Sequence, residues 1–571
     1  MKTSHAAILL TCFSFAGSST YAQVVGRMED EFYSTPPQSS AGAAELGSHV
    51  VMTDRWVFVN AQKDWTLGSA RGSVYVYERT ADGLVLNTIL HPRGADTTTL
   101  RLFGNGGLDA RGNRLAVVTT HYIADLSLPL GREGRLHIYE FNGSQWVIDG
   151  VVTAPEYSFI TVPNGFGAAV AFASDDEVLV GAPGDEPIGT NPYDNLGSVY
   201  VFRRSPAGTW NLDHKVFGPS QPQRISSFGL HIRSSGDHVI VQGFVKSAEL
   251  TRQPNGNWML GPTIDLPLQG SAEFMEFDCD DEWLIVGDPQ DICQLSSQRS
   301  RAYVFHRDPS GWTLHQTLMP QDSYAGTIGS CYYGRDRFGT SVDLDGNQVV
   351  IGSPYMPVNG VIPTGQASVF ELQGNQWVET HTLQLEDPQA WSAFGGSVAI
   401  KGDTVAVGAR FWTPTPNTPL FHPGAVAIFD LPRGTPVCAG QPNSSGQPAT
   451  LHVYGNETAS QVDIYAEVTE LPPGSLCLGL VAAQPGFVMN PAGSAGNLCL
   501  SGVIGRFTAQ AGAASPSGDY RWQVTPAGMP LATGFVQVQA GSTWVFQSWY
   551  RDSVGGTSTS NFSSAVSASF E

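Results

Sequence analysis

GFGAAVAFASDDEVLVGAPGDEPIGTNPYDNLGSVYVF, residues 165–202, holds three short apolar runs: AAVAFA, EVLVGAP and SVYVF. A tight acidic turn, Asp175-Asp176, joins the first two, and a long polar loop joins the second to the third. Short apolar runs bounded by Gly, Asp and Pro read as β-strands. Taken alone, the Gly-rich ends and the paired aspartates would suit a phosphate or a metal ion. The recurrence of the same pattern along most of the chain argues for a structural repeat instead.

The glycines of the Phe-Gly step, or their replacements, are Gly47, Gly104, Gly167, Gly229, Met275, Gly339 and Gly395. From 47 to 395 is 348 residues over six intervals, a mean of 58. A fixed period of this size marks a repeat architecture. In each copy a first strand follows Phe-Gly: SHVVM, GGLDA, AAVAF, LHIRS, MEFDC, TSVDL and GSVAI. Short turns rich in Asp, Asn and Gly come next, residues that tolerate positive φ or bond their own backbone. Second strands end in Val-Gly-Ala-Pro or a remnant of it, and third strands resemble GSVYVF. Fourth strands often open with Trp, at Trp146, Trp210, Trp258, Trp312 and Trp377; the first copy has Leu84-Val85-Leu86.

Four antiparallel strands in each of seven copies predict an all-β fold, a seven-bladed β-propeller. The innermost strand is expected to be small and apolar, as in GAAVAF, because blades converge at the axis. The outer Trp covers the wide edge. Copy seven stops after its third strand at Phe429-Asp430, where Leu431-Pro432 breaks the pattern. Val24–Phe32, ahead of copy one, is predicted to pair with Ala425–Phe429 and supply the missing outer strand, which removes an open sheet edge. Past residue 433 the repeat gives way to Ser, Gly, Ala and Thr with alternating runs such as ATLHVYG and STWVFQSWYRD, which predict a β-sandwich-like domain over 433–571.

Residues 1–22 read as an export signal: Lys2 and His5, an apolar run from Ala6 to Phe15, then Thr20-Tyr21-Ala22. The propeller then spans 23–432. No other segment has the length of apolar residues that a membrane-spanning helix needs. The net charge is −21, which argues against nucleic acid as a partner. Six of the seven cysteines follow the signal, and export permits disulfides. Cys293 and Cys331 both fall on the long-loop face, so a Cys293–Cys331 bridge is expected, with Cys279 near the opposite face. Cys499 can pair with Cys438 or Cys477, and Cys438 is preferred because it ties the start of the C-terminal domain to its middle.

Strand alternation puts the two-to-three and four-to-one connections on one face. Most of these are long: Gln62–Arg71, Thr120–Glu133, Gly184–Leu196, Asp288–Ser300, Tyr355–Thr364 and Arg410–Pro423. Long loops on a rigid scaffold are where binding usually sits. The candidate ligand loop is the least repeated one, with Asp185, Glu186, Asn191, Tyr193, Asp194 and Asn195; the bland alternative is a tolerated insertion. The chain has no H-E-x-x-H, C-x-x-C or G-x-S-x-G, so metallopeptidase, zinc-ribbon and serine-hydrolase readings lack their signature. Single histidines such as His231 and His381 read as ordinary strand or loop residues. Adjacent acids such as Asp175-Asp176 read as solvated turns rather than an acid/base pair.

The phrases FGAAVAFASDDEVLVGAP…GSVYVF and FGGSVAIKGDTVAVGAR…GAVAIF resemble FG-GAP repeats in the short-turn form of exported bacterial proteins. The resemblance covers roughly residues 45–430 and implies a propeller related to the head of integrin α chains, a family associated with ligand binding and adhesion rather than catalysis. Integrin-type calcium loops use a longer one-to-two turn that gathers six to eight oxygens. The nearest match here, Asp343-Leu344-Asp345-Gly346-Asn347, has too few ligands and reads as a hairpin turn, so no metal or other cofactor is expected. Copies four and five are the least regular. The C-terminal stretches NSSG (443–446), NLCLSGVIGRF (497–507) and GSTWVFQSWYRDSVGGTSTSNFSSAV (541–566) resemble a module of exported planctomycete-type bacterial proteins.

Together these readings predict an exported, non-enzymatic binding or adhesion protein that presents its loop face to a protein or glycan. The alternatives are a secreted glycan-acting enzyme using acids on that face, and a structural protein of the cell envelope. Acidic or His side chains converging at the axis would favour the enzyme, and a featureless polar face the structural role.

Overall fold

The computed structural model describes residues 25–27, 44–64, 72–80, 83–92, 102–120, 134–153, 164–187, 196–220, 224–236, 238–244, 246–267, 276–289, 299–309, 311–320, 336–358, 363–385, 388–413, 423–455, 457–458, 461–462 and 464–570. These residues form an all-β chain that divides into two compact units, one ending at Phe429 and the other beginning at Asp430, with Gly402–Thr404 grouped with the second.

The first unit consists of seven four-stranded sheets. Sheet one is Leu46–Met52, Trp56–Ala61, Ser73–Thr80 and Gly83–Leu90. Sheet two is Gly107–Arg111, Arg114–Thr119, Arg135–Phe141 and Trp146–Thr153. Sheet three is Val170–Ser174, Glu177–Ala182, Ser198–Arg204 and Trp210–Phe217. Sheet four is His231–Ser235, His238–Gln242, Lys246–Arg252 and Trp258–Asp265. Sheet five is Phe277–Cys279, Trp283–Asp288, Arg301–Asp308 and Gly311–Leu318. Sheet six is Ser341–Asp345, Gln348–Ser353, Gln366–Gln373 and Gln376–Leu383. Sheet seven takes Phe394–Lys401, Thr404–Ala409 and Ala425–Asp430 from copy seven, with Val25–Arg27 beside Ala425–Asp430 on its outer edge. Val24 and residues 28–32 lie outside the described residues.

The acidic turns make two-residue hairpins, as where Ser174 pairs with Glu177 and Asp345 with Gln348. In each of sheets one to six the register between strands three and four shifts once at the same level, for example between Val201 and Phe202 and between Val369 and Phe370. The repeat is thus one of backbone geometry as well as of letters.

Neighbouring sheets pack face to face. Trp56 and Phe58 of sheet one meet Trp146 of sheet two at ring-centroid distances of 5.2 and 5.3 Å, and Trp56 Nε1 donates to Asn113 Oδ1 at 3.0 Å. Trp258 of sheet four donates to Glu177 Oε1 of sheet three at 2.5 Å, and Arg252 and Arg203 also bind that buried carboxylate. Val57 and Tyr75 of sheet one share a core with Ala406 and Val426 of sheet seven. The first strand of every sheet touches that of the next, and Phe394–Lys401 touches Leu46–Met52. Ser397 Oγ donates to Gly47 O at 2.8 Å, and Leu46 N to Pro423 O at 2.9 Å, across the first and last copies.

The glycines of the motif meet at these junctions. A Cβ on Gly287, in the second strand of sheet five, would overlap the carbonyl oxygen of Gly339, and one on Gly408 would overlap that of Gly47. Gly47 and Gly339 also have φ of 86° and 90°, a region open to glycine and costly for other residues.

In the second unit, Thr435–Cys438, Thr557–Ser569, Thr543–Val554 and Leu476–Ala482 form the body of one sheet. Thr450–Tyr454, Ile464–Thr469 and Tyr520–Val524 form another. Val453, Ala466 and Trp522 from the smaller sheet and Val481, Phe546 and Val566 from the larger one line a common core. Cys438 and Cys499 are joined by a disulfide, whereas Cys477 is a buried free thiol, as is Cys279 in the first unit. Cys293 and Cys331 lie outside the described residues.

Two outcomes check this packing. Gly287→Ala should lower the unfolding free energy by about 3 kcal/mol or more. Gly346→Ala, at a hairpin turn with open space around it, should lower it by only about 1 kcal/mol. Equal losses in thermal or urea unfolding would contradict the close approach. Replacing Cys438 and Cys499 together by Ser opens a loop of 61 residues and should weaken the second unit by roughly 3–4 kcal/mol, seen as an earlier urea transition for that unit alone.

Candidate functional site

The first strand of each sheet has no strand partner on its inner side. Its side chains alternate between faces. The third residue of each first-strand motif (Val50, Leu108, Val170, Ile232, Phe277, Val342, Val398) is buried. The second and fourth residues are more varied. The second series is His49, Gly107, Ala169, His231, Glu276, Ser341 and Ser397; the fourth is Val51, Asp109, Ala171, Arg233, Asp278, Asp343 and Ala399. The expectation of a small, apolar inner strand therefore fits copies three and seven, while copies two, four, five and six place charge there. The reason is visible in their bonds. Asp109 accepts Phe172 N–H at 2.6 Å, Asp278 accepts Leu344 N–H at 2.9 Å, and Asp343 accepts Ile400 N–H at 2.7 Å. Each bond runs from one sheet to the first strand of the next and satisfies an N–H on its open edge.

Arg233 is the hub of this arrangement. Its Nε lies 3.5 Å from Asp278 Oδ1, and its side chain keeps 32% of its surface accessible. It interacts electrostatically with Asp109, Glu276 and Asp343 as well as Asp278, and with His49 and His231. Protein surrounds these groups, yet all seven remain part-exposed, the combination expected of a narrow, wet axial space.

Burial and charge move these groups off their ordinary titration ranges. Burial opposes the Arg233 charge, but the four carboxylates outweigh it and raise its pKa. Burial, then the charges of Arg410 and Arg233, lowers His49 to about 4, against a hydrogen bond to Asn60 that favours the protonated ring. Burial, then Arg233 and His49, lowers His231 to about 4. Both imidazoles are neutral at pH 7. Burial raises Asp109 to about 6, with the Phe172 N–H and Arg233 pulling the other way. Burial also raises Glu276 and Asp278, each opposed by Arg233. Asp343 is pushed well up by burial and by the charge of Asp278, and a hydrogen bond joins the two carboxyls. The two carboxyls titrate as a pair, both held above the ordinary carboxylate range by burial.

The loop chosen from the sequence divides at its base. Asp185 is buried and turned inward: Ser198 Oγ donates to its Oδ2 at 2.6 Å and Lys215 Nζ lies 3.3 Å from the same oxygen. Glu186 accepts Leu196 N–H at 2.8 Å. Both residues clamp the two ends of the loop together. Asn191, Tyr193, Asp194 and Asn195 lie outside the described residues. Asp175 and Asp176 make exposed ion pairs to Arg111 and Arg114 of sheet two. His381 is a buried strand residue, whereas His231 belongs to the axial group. Reading the first-strand motifs down their second and fourth positions, rather than residue by residue, is the signal that would have exposed the axial set. Among the described residues no group of three or more His, Cys, Asp or Glu side chains is arranged to hold a metal ion, and no helix is long and apolar enough to cross a membrane.

Asp109 gives a signed prediction. Its folded pKa lies above the unfolded value, so the native state binds the proton more tightly and stability falls as pH rises from about 4 through about 6. Asp109→Asn keeps an acceptor for Phe172 N–H and removes the titration. Its melting temperature at pH 7.5 should equal or exceed that of the wild type, with the advantage gone at pH 4. A variant less stable than wild type at pH 7.5 by the same margin as at pH 4 would contradict this.

Residues 377–417, from the last strand of sheet six into the loop after the second strand of sheet seven, match the FG-GAP repeat family. Among solved structures the chain is similar to the periplasmic gluconolactonase PpgL of Pseudomonas aeruginosa, at 15% identity and a TM-score of 0.34, covering 65% of this chain and 94% of that one. It is also similar to the WD40 domain of coronin from Toxoplasma gondii, at 8% identity and a TM-score of 0.39, covering 72% and 87%. No curated protein matches the chain. An FG-GAP repeat in the chain, together with its succession of four-stranded sheets, supports a β-propeller.

Proposed function

We propose that the chain is an exported seven-bladed β-propeller with a C-terminal β-sandwich-like module of the planctomycete type, and that it acts as a non-enzymatic binding or adhesion protein for a protein or glycan. The observation that carries the reading is the division of connections between the two ends of the sheets. One-to-two and three-to-four turns are short throughout. The two-to-three connections run from 62 to 72, 120 to 134, 183 to 197, 289 to 300, 354 to 365 and 410 to 424, and only that of sheet four, 243–245, is short. Such a scaffold holds variable loops at one end of a body whose sheets are fixed by backbone contact. Internal clamps at Asp185 and Glu186 brace the loop base in the same sense. The disulfide Cys438–Cys499 and the leader-like residues 1–22 support export to an oxidising compartment.

A second reading, a glycan-acting enzyme, is favoured by one observation: the axial set combines carboxylates of raised pKa with neutral histidines, and perturbed groups cluster at functional sites. Against it, the three aspartates each hold a backbone N–H, and Asp278 also faces Arg233.

Surface-immobilised glycans and extracellular-matrix proteins should retain the mature chain, and removal of 433–571 should leave that retention within about threefold if the propeller face carries it. Release of reducing sugar from the same glycans, abolished by Asp278→Asn, would favour the enzyme. Retention by nothing would favour the envelope structural role.

A further inference from the structure

We propose that Trp391 is a stacking platform for a pyranose ring of a neutral glycan, at the end of the first unit that carries the long connections, with Gln389 beside it as a hydrogen-bond donor. The inference rests on the loop-face reading above and narrows its ligand to a glycan.

Trp391 lies in the connection from sheet six to sheet seven. Its equivalent in copy four is Ile225: the two stretches read Trp391-Ser392-Ala393-Phe394-Gly395 and Ile225-Ser226-Ser227-Phe228-Gly229. The backbone that follows is the same in both. Ala393 and Ser227 have φ of 53° and 56°. Ser392 O accepts Phe411 N–H at 3.1 Å, and Ser226 O accepts Phe244 N–H at 3.0 Å. Yet Ile225 turns inward, 1% exposed in the core shared by sheets three and four, whereas Trp391 is 45% exposed. The two differ in backbone: Trp391 has a φ of 72°, and Ile225 is outside the positive region. That φ places Trp391 at the third position of a β-turn, where Ser392 N–H donates to Gln389 O at 3.3 Å. Glycine or asparagine is the usual residue there. A bulky aromatic at this position is strained, and strain that turns an apolar ring outward marks a ligand-binding position.

The turn is held from both sides. Trp391 N–H donates to Pro363 O and Ser392 Oγ to Thr364 O at 2.7 Å, both in the two-to-three connection of sheet six. Thr413 N–H, in that of sheet seven, donates to Gln389 Oε1 at 3.2 Å. The ring therefore stands on a fixed backbone, and little ordering is needed on binding. The Thr413 bond also orients the Gln389 carboxamide. Its oxygen is engaged by a donor, and its NH2, without a partner among the described residues, keeps two donors for a ligand.

The surroundings select the ligand. Among the described residues, the other exposed apolar side chains of the first unit, such as Val85, Ile148, Met259 and Val378, lie on the outer, fourth strands. Phe411 is part-exposed, but Arg410 covers its ring at 4.6 Å. Trp391 is thus a single flat ring beside an amide, not the centre of an apolar patch. A protein interface buries a cluster of apolar anchors. A pyranose instead offers one ring-sized face of C–H groups to the indole and rim hydroxyls to the amide. The net charge of −21 disfavours a polyanionic glycan.

The test measures binding of cellohexaose, laminarihexaose, chitohexaose and mannohexaose to the mature chain by calorimetry, and retention of the chain on immobilised matrix proteins. At least one hexasaccharide should bind, and Trp391→Gly should weaken that binding by about tenfold or more. The same variant should melt at or above the wild-type temperature, because glycine relieves the turn. Gln389→Ala should weaken binding by about threefold or more, and Met259→Ser, on the outer strand of sheet four, should leave it unchanged. Equal hexasaccharide binding by Trp391→Gly, or retention by matrix proteins alone, would overturn the assignment and leave the loop-face reading standing. Loss of binding with a lower melting temperature would mark Trp391 as structural and also overturn it. Binding to nothing would overturn both. Should Trp391→Gly fail to fold, Trp391→Asn, which accepts the same φ, decides, together with shielding of wild-type tryptophan fluorescence from acrylamide by the bound hexasaccharide.

Discussion

Two glycine backbones, one from the end of a second strand and one from the next copy's Phe-Gly step, approach so closely that no side chain fits between them. The rest of the first unit depends on this contact. Between sheets three and four, where Gly181 meets Gly229, it sets the spacing at which Glu177 reaches Trp258 and Arg252. It also explains why a motif of four letters recurs in a chain that otherwise varies freely. The glycine is required by its neighbour in space, 48 residues further on for Gly181 and Gly229 and 52 for Gly287 and Gly339, rather than by its own strand. Where the pair is lost, something must fill or bridge the gap. Asn60 does so between sheets one and two, bonding Phe103 O directly.

The same logic separates what the sequence discloses from what it conceals. Features repeated seven times are legible, because each copy corroborates the others: four strands, their order, the hairpin turns and the Trp at the outer edge. The pairing of Cys438 with Cys499 was one of two choices open to Cys499, and position within the domain favoured it. Axial chemistry is hidden for the opposite reason. His49, His231, Arg233, Glu276 and Asp278 are isolated letters in separate copies, each unremarked in its own strand, and only closure of the ring brings them together. Asp185 misleads in another way: it sits in a loop rich in polar residues, but Ser198 and Lys215 draw its carboxylate into the scaffold.

Departures from the repeat gather charge along the first strands. Copies three and seven keep small inner residues, and their strands pack as the motif requires. Copies four and five give up both glycines of their junction and gain a guanidinium, three carboxyls or imidazoles at one level or the next, and a buried amide. Carboxylates that bridge inner strands at sheets two, five and six show that charge here is partly structural, which limits any catalytic role for them.

The enclosure of the axis is the claim on which both the stability and the site arguments rest. It is tested most directly by following the imidazole proton resonances of the mature chain from pH 8 to pH 4, with His49→Gln and His231→Gln used for assignment. The account predicts that these two rings stay neutral to about pH 4. Titration of both near pH 6.5, the ordinary value for a solvated histidine, would mean that the strands do not close around a charged axial space.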